Sequence, residues 1–516
     1  MAQVILFTDR SPLTRELQGT SIQLERYSRA AGAYKVASVL RSKGYEVLVV
    51  PNCLRLTLRA IKNLIDQHAS TLLWIGVSTT FLTIKSNNID EYRTLWRESS
   101  EDFLNLNVLT NLTYITTAVT QLAWGTDELT ALADYAFKKS NAHLMIGGTW
   151  VSHIKKGALN LSSPFIHFSV GYTEDFIVDF TNALSNKTTV PQSYEGEKEF
   201  KSSSIIYTPN DHILPDEWLT LEVSRGCAFK CAYCTYDHKG KSDTTKYTKT
   251  LLDELIRNYE LFGVTKYHLL DDLYNDSDHK IKTLYDEVWS KLPFTPEWVS
   301  YLRLDLIWSN PESAQWLMES GCKLGCFGIE TLHDKAGKFV GKGLGRSRII
   351  ETLEHLRSVW KQDVLINALM IAGLPWEPYD SILETMAWLK TTPLVDSYKY
   401  SALWVTPPEH KHIVIKTNSM SNDYEKYQLT WGEDGWVNNV GVSFKQVAKL
   451  VEKDDREYFD NFYPADLIEY PELRTIGYDH SMLADKNQNN VIIKNILNSN
   501  YPIDNLITDR MKKILA

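Results

Sequence analysis

Ser224-Arg225-Gly226-Cys227-Ala228-Phe229-Lys230-Cys231-Ala232-Tyr233-Cys234 sets three cysteines within eight positions, spaced C-x3-C-x2-C, directly after the apolar run Leu219–Ser224. Thiolates hold iron–sulfur clusters, and a cubane normally takes four of them. Three leave one iron without a protein ligand, an open position of the kind that catalytic metal sites keep. Gly226 lets the backbone turn sharply into the loop. His238, four residues after Cys234, keeps a second arrangement open: a closed Cys3His zinc site in a non-catalytic, zinc-stabilised scaffold. Position favours the cluster, because the loop follows a strand of an alternating strand–helix region. In (β/α) barrels function sits at the carboxyl ends of the strands.

That alternating region spans residues 215–409. Its strand candidates are Leu219–Ser224, Tyr267–Leu270, Trp298–Leu302, Cys326–Ile329, Leu365–Ile371 and Tyr398–Val405, with helical patterns such as Ile349–Trp360 between them. Six strands with crossover helices make a partial (β/α)6 barrel of the TIM type. Residues 1–185 also alternate. Val4–Phe7, Val47–Val50, Leu72–Val77, His143–Ile146 and Phe165–Val170 read as strands, and Ala33–Lys43 as a helix stopped by Gly44. This predicts a doubly wound, Rossmann-like parallel sheet, whose ligands bind beyond the carboxyl ends of the strands. The polar stretch 186–214 reads as a linker. Residues 410–516 form a smaller, α-rich region with one clear helix around Phe444, Val447 and Val451.

Composition narrows the class. Of 516 residues, 43% are hydrophobic and 23% charged, the balance of a soluble α/β protein with a large core. The net charge of −9 carries no block of like charges, so a nucleic-acid substrate is not indicated. The start, MAQVILFTDR, lacks the features of a signal peptide, and no apolar stretch approaches the ~20 residues of a membrane helix. Three of six cysteines crowd one loop, where a disulfide framework would spread them. The expectation is a cytoplasmic metalloprotein with no membrane partner.

C-x3-C-x2-C with an aromatic before the last cysteine resembles the signature of the radical S-adenosylmethionine (SAM) superfamily, over roughly residues 215–408. The resemblance implies that Cys227, Cys231 and Cys234 hold a [4Fe-4S] cluster whose fourth iron binds SAM. Reductive cleavage would then give a 5′-deoxyadenosyl radical that abstracts hydrogen from a peptide or small natural-product substrate. An external donor such as a flavodoxin or ferredoxin would supply the electron. The resemblance extends to further positions. Tyr233 matches the aromatic near the adenine. Asp271 and Asp272 end the second strand, as SAM or substrate contacts or as a helix N-cap pair. Arg303 pairs either with the SAM carboxylate or near Asp305. Gly328-Ile329-Glu330 resembles the fourth-strand G-I-E element, with Glu330 facing SAM. Gly373-Leu374-Pro375-Trp376-Glu377 resembles the turn where backbone, at Gly373, nears the cofactor. Cys322 and Cys326 are either buried small hydrophobes or thiols that return hydrogen to a substrate radical.

The N-terminal sheet resembles the cobalamin (B12)-binding domain of one branch of the superfamily. Its strand ends Ser78-Thr79-Thr80 and Ile146-Gly147-Gly148 match, which makes Ser78, Thr79, Gly147 and Gly148 cofactor-facing candidates. Two departures stand against it. The D-x-H-x-x-G lower-ligand motif is replaced by Thr8-Asp9-Arg10-Ser11-Pro12, and roughly 60 residues separate Thr80 from Met145. Cobalamin binding and a domain kept for packing or substrate recognition both remain open. A cobalamin-dependent C-methyltransferase is the alternative outcome. Residues 411–516 hold 13 basic and 16 acidic residues, unlike a basic RNA-binding module. Trp431, Trp436, Tyr424 and Tyr427 there either line a cleft or form satellite core.

Overall fold

The computed structural model describes residues 1–516 except 11–12, 18–19, 25–26, 81, 86–96, 105–122, 149–150, 152–160, 162, 197–200, 237–239, 241–243, 409–417, 460–472, 474, 476, 480–481 and 483–501. The chain forms two compact units, Met1–Leu214 with Ser499–Ala516, and Pro215–Asn498. The strands of their two large sheets are numbered here in chain order.

In the first unit these are β1 (Val4–Phe7), β2 (Val47–Val50), β3 (Trp74–Ser78), β4 (His143–Gly147), β5 (Ile166–Gly171) and β6 (Ser193–Gly196). They pair in parallel in the order β6-β5-β4-β3-β1-β2. The runs Val-Ile-Leu-Phe and Val-Leu-Val-Val suit strands covered by helices on both faces. The Rossmann-like expectation is met, with a correction. Residues 186–214 are not a mere linker, because β6 is the sixth strand of the sheet. Arg41 also makes a bidentate pair with Asp211, at 2.8 and 2.9 Å. The polar composition that suggested a linker is that of an edge strand and its loops.

The last helix, Pro502–Leu515, belongs to this unit, so residues 410–516 are not one region. Ile507, Met511 and Ile514 are buried along one helical face with Arg510. The Arg510 guanidinium lies 3.7 Å from the centre of the Tyr27 ring. It donates to Tyr27 O at 3.0 Å and to the Asn52 side chain. Asn52 follows β2 in a left-handed conformation (φ 53°), so the helix is tied to the carboxyl end of that strand.

In the second unit the sheet strands are β7 (Trp218–Leu221), β8 (Lys266–Leu269), β9 (Glu297–Leu302), β10 (Cys322–Glu330), β11 (Leu365–Ala372) and β12 (Ser397–Ala402). All six expected strands are present, parallel and in consecutive order, as a partial (β/α)6 barrel requires. Tyr267, Trp298 and Phe327 are buried, and Phe327 meets Trp360 of the helix Arg346–Trp360. The opposite face carries the alternate residues. There Tyr301, 41% exposed, stands in register with Cys326 and Asn367. The helix Phe444–Phe459 forms where expected and packs behind β12, with Tyr398 donating to Asp454 at 3.3 Å. Among the described residues no helix is long and apolar enough to cross a membrane.

Truncating Arg510 to Ala removes a buried cation together with two hydrogen bonds, and should cost about 2–4 kcal/mol. The expected result is a lowered urea midpoint for the first unit, followed through Trp74 and Trp124 fluorescence. An unchanged midpoint would show that the terminal helix adds nothing to it.

Candidate active site

The site lies at the carboxyl ends of β7–β11. The chain leaves β7 through Val223 and Ser224, and both are held by Asp271. Val223 N donates to its carboxylate at 3.2 Å, and the Ser224 hydroxyl donates to the other oxygen. Lys280 Nζ reaches the same hydroxyl at 2.7 Å and Asp276 at 3.0 Å. Asp271 is 2% exposed and anchors the entrance of the cysteine loop. The following helix, Asp278–Glu287, is capped by Ser277. Asp272, the next residue, is half-buried.

The loop itself contains few internal bonds. Cys234 N donates to Cys231 O at 3.2 Å, and Gly240 N to Cys227 O and Phe229 O at 2.6 and 2.8 Å. Ala232 N donates outward to Val340 O at 3.0 Å. Burial pushes the Cys227 thiol up; the neighbouring Cys231 and Cys234 add to this, while Arg303 pulls it down. The three sulfurs therefore share one electrostatic neighbourhood. Yet among the described residues no three Cys, His, Asp or Glu side chains converge tightly enough for a single metal ion. His238, which the zinc arrangement needs, lies outside the described residues.

Arg303 follows β9 and meets both expectations in part. Its Nε and Nη2 pair with Asp305 at 2.9 and 2.5 Å, while Nη1 donates to Cys231 Sγ at 3.3 Å. Its guanidinium stacks 3.7 Å from the centre of the Phe229 ring. Burial opposes its charge, but Asp305 and Cys231 outweigh it, so the group stays cationic. A fixed cation beside a sulfur favours the thiolate that iron requires.

Tyr233 donates to Glu330 Oε1 at 2.7 Å, and burial together with Glu330 holds its phenol well above the ordinary value. Lys342 completes the group, 3.2 Å from Glu330 and 2.6 Å from Gly328 O. Glu330 ends β10 at φ 69°, a left-handed conformation that costs a non-glycine residue of order 1 kcal/mol and gathers at functional sites. Gly373 (φ 91°) ends β11. A Cβ there would stand 2.3 Å from Trp436 Cη2, so only glycine fits. Glu377 folds back beneath the turn. It accepts from Gly373 N at 3.2 Å, from Leu374 N at 3.4 Å and from Thr331.

Cys322 is the first residue of β10, eight positions before Glu330, or about 26 Å along a strand. It is 1% exposed, and burial pushes its thiol far up. It therefore packs the amino end of the sheet and is no hydrogen donor to the site. Cys326 is also buried, midway along the strand in register with Tyr301. Of the C-terminal aromatics, Trp436 is core, 1% exposed against Phe444; Tyr424 meets Trp431 and lines a cavity with Gln428 and Asn438, and Tyr427 meets Phe339. Lys342, Thr331 and Glu377 escaped sequence reasoning as site residues. A lone lysine or threonine carries no motif, and Glu377 was visible only as the last letter of its turn.

In the first unit, Thr79 is fully buried and its hydroxyl donates to Gly147 O at 2.8 Å. It joins two strand ends. Gly147 pairs with Ser78 in register. Gly148 (φ 100°) brings its Cα so close that a Cβ would lie 2.7 Å from Thr80 N and 2.8 Å from Thr79 N. The backbones that follow β3 and β4 are therefore packed directly on each other, with no room for a side chain at Gly148. Asp9, where a lower-ligand motif would begin, is spent on Leu54 N and Arg10 N. His143 and His167 start β4 and β5, and His68 bonds Ala2 N before β1, all at the other end of the sheet.

A three-thiol loop, a strand-end glutamate and a Gly-Leu-Pro turn are gathered at the carboxyl ends of consecutive parallel strands, as the sequence resemblance implies. Residues 221–389 match the family model described as the radical SAM superfamily. This match is a radical SAM domain within the second unit, Pro215–Asn498. The chain is 23% identical over 251 residues to cytidylyl-2-hydroxyethylphosphonate methyltransferase of Streptomyces wedmorensis, covering 46% of this chain and 45% of that protein. It is 25% identical over 264 residues to the ribosomal protein uS12 methylthiotransferase RimO of Chlamydia pneumoniae, covering 48% and 53%. The chain thus spans about half the length of these curated relatives. The fold resembles the methyltransferase TsrM from Kitasatospora setae, solved with tryptophan and a SAM analogue (TM-score 0.54, 13% identity, 82% of this chain and 76% of that one). It also resembles OxsB, solved with aqua-cobalamin and SAM (TM-score 0.50, 14% identity, 88% and 61%).

Burial lifts the Glu377 carboxyl to about 7, against the lowering pull of its bonds to Thr331, Gly373 and Leu374. An unfolded glutamate titrates near ~4.3. Because the folded value is the higher, the stability this group contributes is full below ~4.3 and is lost as pH rises through about 7. Glu377→Gln cannot ionise, so the melting temperature of the unmodified protein should fall relative to that of the variant between about pH 5 and 8. A difference that does not change with pH would contradict the buried, proton-binding carboxyl.

Proposed function

We propose that this chain is a cobalamin-dependent radical SAM methyltransferase acting on a small-molecule substrate. The observation that carries the radical half is the loop Cys227–Cys234, with three thiols in one neighbourhood and Arg303 Nη1 on Cys231 Sγ. Methyl transfer is favoured over simple hydrogen abstraction because the matched relatives include methyl- and methylthio-transferases, and the fold extends over both units of TsrM- and OxsB-like proteins. TsrM's tryptophan supports a small substrate.

When bound, a [4Fe-4S] cluster supplies the electron that cleaves the sulfonium of SAM, and a corrinoid supplies a methyl carrier. The chain's own part is to bind and orient. Cys227, Cys231 and Cys234 would hold three irons and leave the fourth for SAM. Arg303 keeps positive charge beside the thiolates. Tyr233, Glu330 and Lys342 fix polar groups at the end of β10. The Gly373 turn presents bare backbone where a bulkier residue would not fit. His68, His143 and His167 lie at the far end of the first unit's sheet, so none of them would ligate a corrinoid held at the carboxyl ends of its strands. A one-electron donor such as a flavodoxin or ferredoxin is required by the chemistry.

The test is anaerobic reconstitution of the full chain with iron, sulfide and hydroxocobalamin, then desalting. We expect retained corrinoid absorbance and, with SAM and reductant, both 5′-deoxyadenosine and S-adenosylhomocysteine. Cys231→Ala should lose 5′-deoxyadenosine formation to background. Corrinoid that washes out while SAM is still cleaved would return the reading to hydrogen abstraction without methyl transfer. Full turnover by the cysteine variant would sink the cluster assignment.

A further inference from the structure

Two backbone elements face the proposed cofactors, the loop Cys227–Cys234 and the turn Gly373–Glu377. Each is held by one buried asparagine from the segment that follows the barrel sheet. Asn418 is fully buried. Its Nδ2 donates to Tyr233 O at 3.3 Å and to Trp404 O at 3.4 Å. Its Oδ1 accepts from Ser421 N at 3.0 Å and so caps the short helix Ser419–Asn422. Ser419 N and Met420 N then donate to Ala232 O at 3.1 and 3.4 Å. The two carbonyls between the second and third cysteines, those of Ala232 and Tyr233, are thus gripped by this segment.

Asn438 repeats the arrangement on the turn. It ends the hairpin Leu429–Gly432/Gly435–Asn438 and is 3% exposed. Its Nδ2 donates to Leu374 O at 3.0 Å and to Glu377 O at 3.2 Å. Its Oδ1 accepts from Val440 N at 3.1 Å and from Val442 N at 3.0 Å. Next to it, Asn439 Oδ1 accepts from Trp376 N at 2.8 Å. Trp376 is left-handed, at φ 70°, and needs an outside partner to hold it there. In both clips N–H groups lie on one side of the amide and C=O groups on the other, which fixes the amide orientation.

We propose that Asn418 and Asn438 are positioning residues of the SAM site, an inference that rests on the radical SAM reading above. Each is a two-ended clip. The oxygen completes the fold of its own segment, and the nitrogen fixes carbonyls of a cofactor-facing backbone. The post-barrel segment thereby sets the cluster loop and the SAM-facing turn independently, one clip for each.

Asn→Asp separates the two ends. Aspartate keeps the acceptor oxygens and caps a helix as well as asparagine does. It loses both N–H donors and turns a carboxylate toward the carbonyls. In the full chain without cofactors, hydrogen–deuterium exchange should rise by at least about fivefold within 231–234 for Asn418→Asp, with 373–377 unchanged. For Asn438→Asp the pattern should reverse. In the reconstituted protein, Asn438→Asp should keep its iron content and need about tenfold more SAM to shift the reduced-cluster EPR signal, as expected for the loss of two hydrogen bonds. Asn418→Asp should alter that signal before SAM is added. Exchange unchanged at both segments, or raised alike across the whole second unit, would overturn the clips and leave both asparagines a structural role. If the unmodified protein fails to respond to SAM, the cofactor reading fails, while the exchange pattern still decides the clips.

Discussion

A loop that carries three thiols within eight residues has almost no hydrogen-bonded regularity of its own, so its shape must be imposed from outside. Beyond its few internal bonds, several of its constraints among the described residues come from the end of a strand or from the segment just beyond it. Asp271 after β8 holds the entrance through Ser224. Arg303 after β9 reaches Cys231. Val340, past β10, takes the Ala232 amide, and Ser419, past β12, gives its own to Ala232 O. The barrel sheet converts positions far apart in sequence into one cage around the loop. That is why the loop follows a parallel strand: only there do the carboxyl ends of the neighbouring strands converge on it.

The same logic explains where strain sits. Glu330 and Trp376 are left-handed without being glycine, and Glu377 is a carboxyl buried beneath its own turn. Each costs stability and is held by partners from elsewhere in the chain: Tyr233 and Lys342 for Glu330, Asn439 and Lys335 for Trp376, and Thr331 with two backbone amides for Glu377. Backbone held this firmly in unfavourable conformations presents groups to a ligand without reorganising when the ligand arrives.

Much of this was legible in the sequence because the signals were local. Continuous apolar runs such as Val47–Val50 gave the buried parallel strands, and C-x3-C-x2-C gave the site. The features that escaped depended on distant partners. Ser193–Gly196 is too short and polar to stand out as a strand, and it is one only because β5 lies beside it. Asp271 read as a ligand contact or a cap, since nothing in its neighbourhood announces Ser224, 47 residues earlier. Cys322 and Cys326 read equally as buried small residues or as hydrogen-returning thiols, and only strand geometry puts Cys322 at the far end of β10. Asn418 and Asn438 belong to no motif, and their role exists only in the carbonyls they meet.

The central claim is that three thiols hold a four-iron cluster and leave one iron for SAM. Mössbauer spectroscopy of the anaerobically reconstituted, 57Fe-labelled full chain tests it most directly. The account predicts about four irons per chain in a cubane, with one iron site becoming distinct from the other three when SAM is added. A protein that takes up zinc in place of iron, or a cluster whose four irons stay equivalent with SAM present, would contradict it.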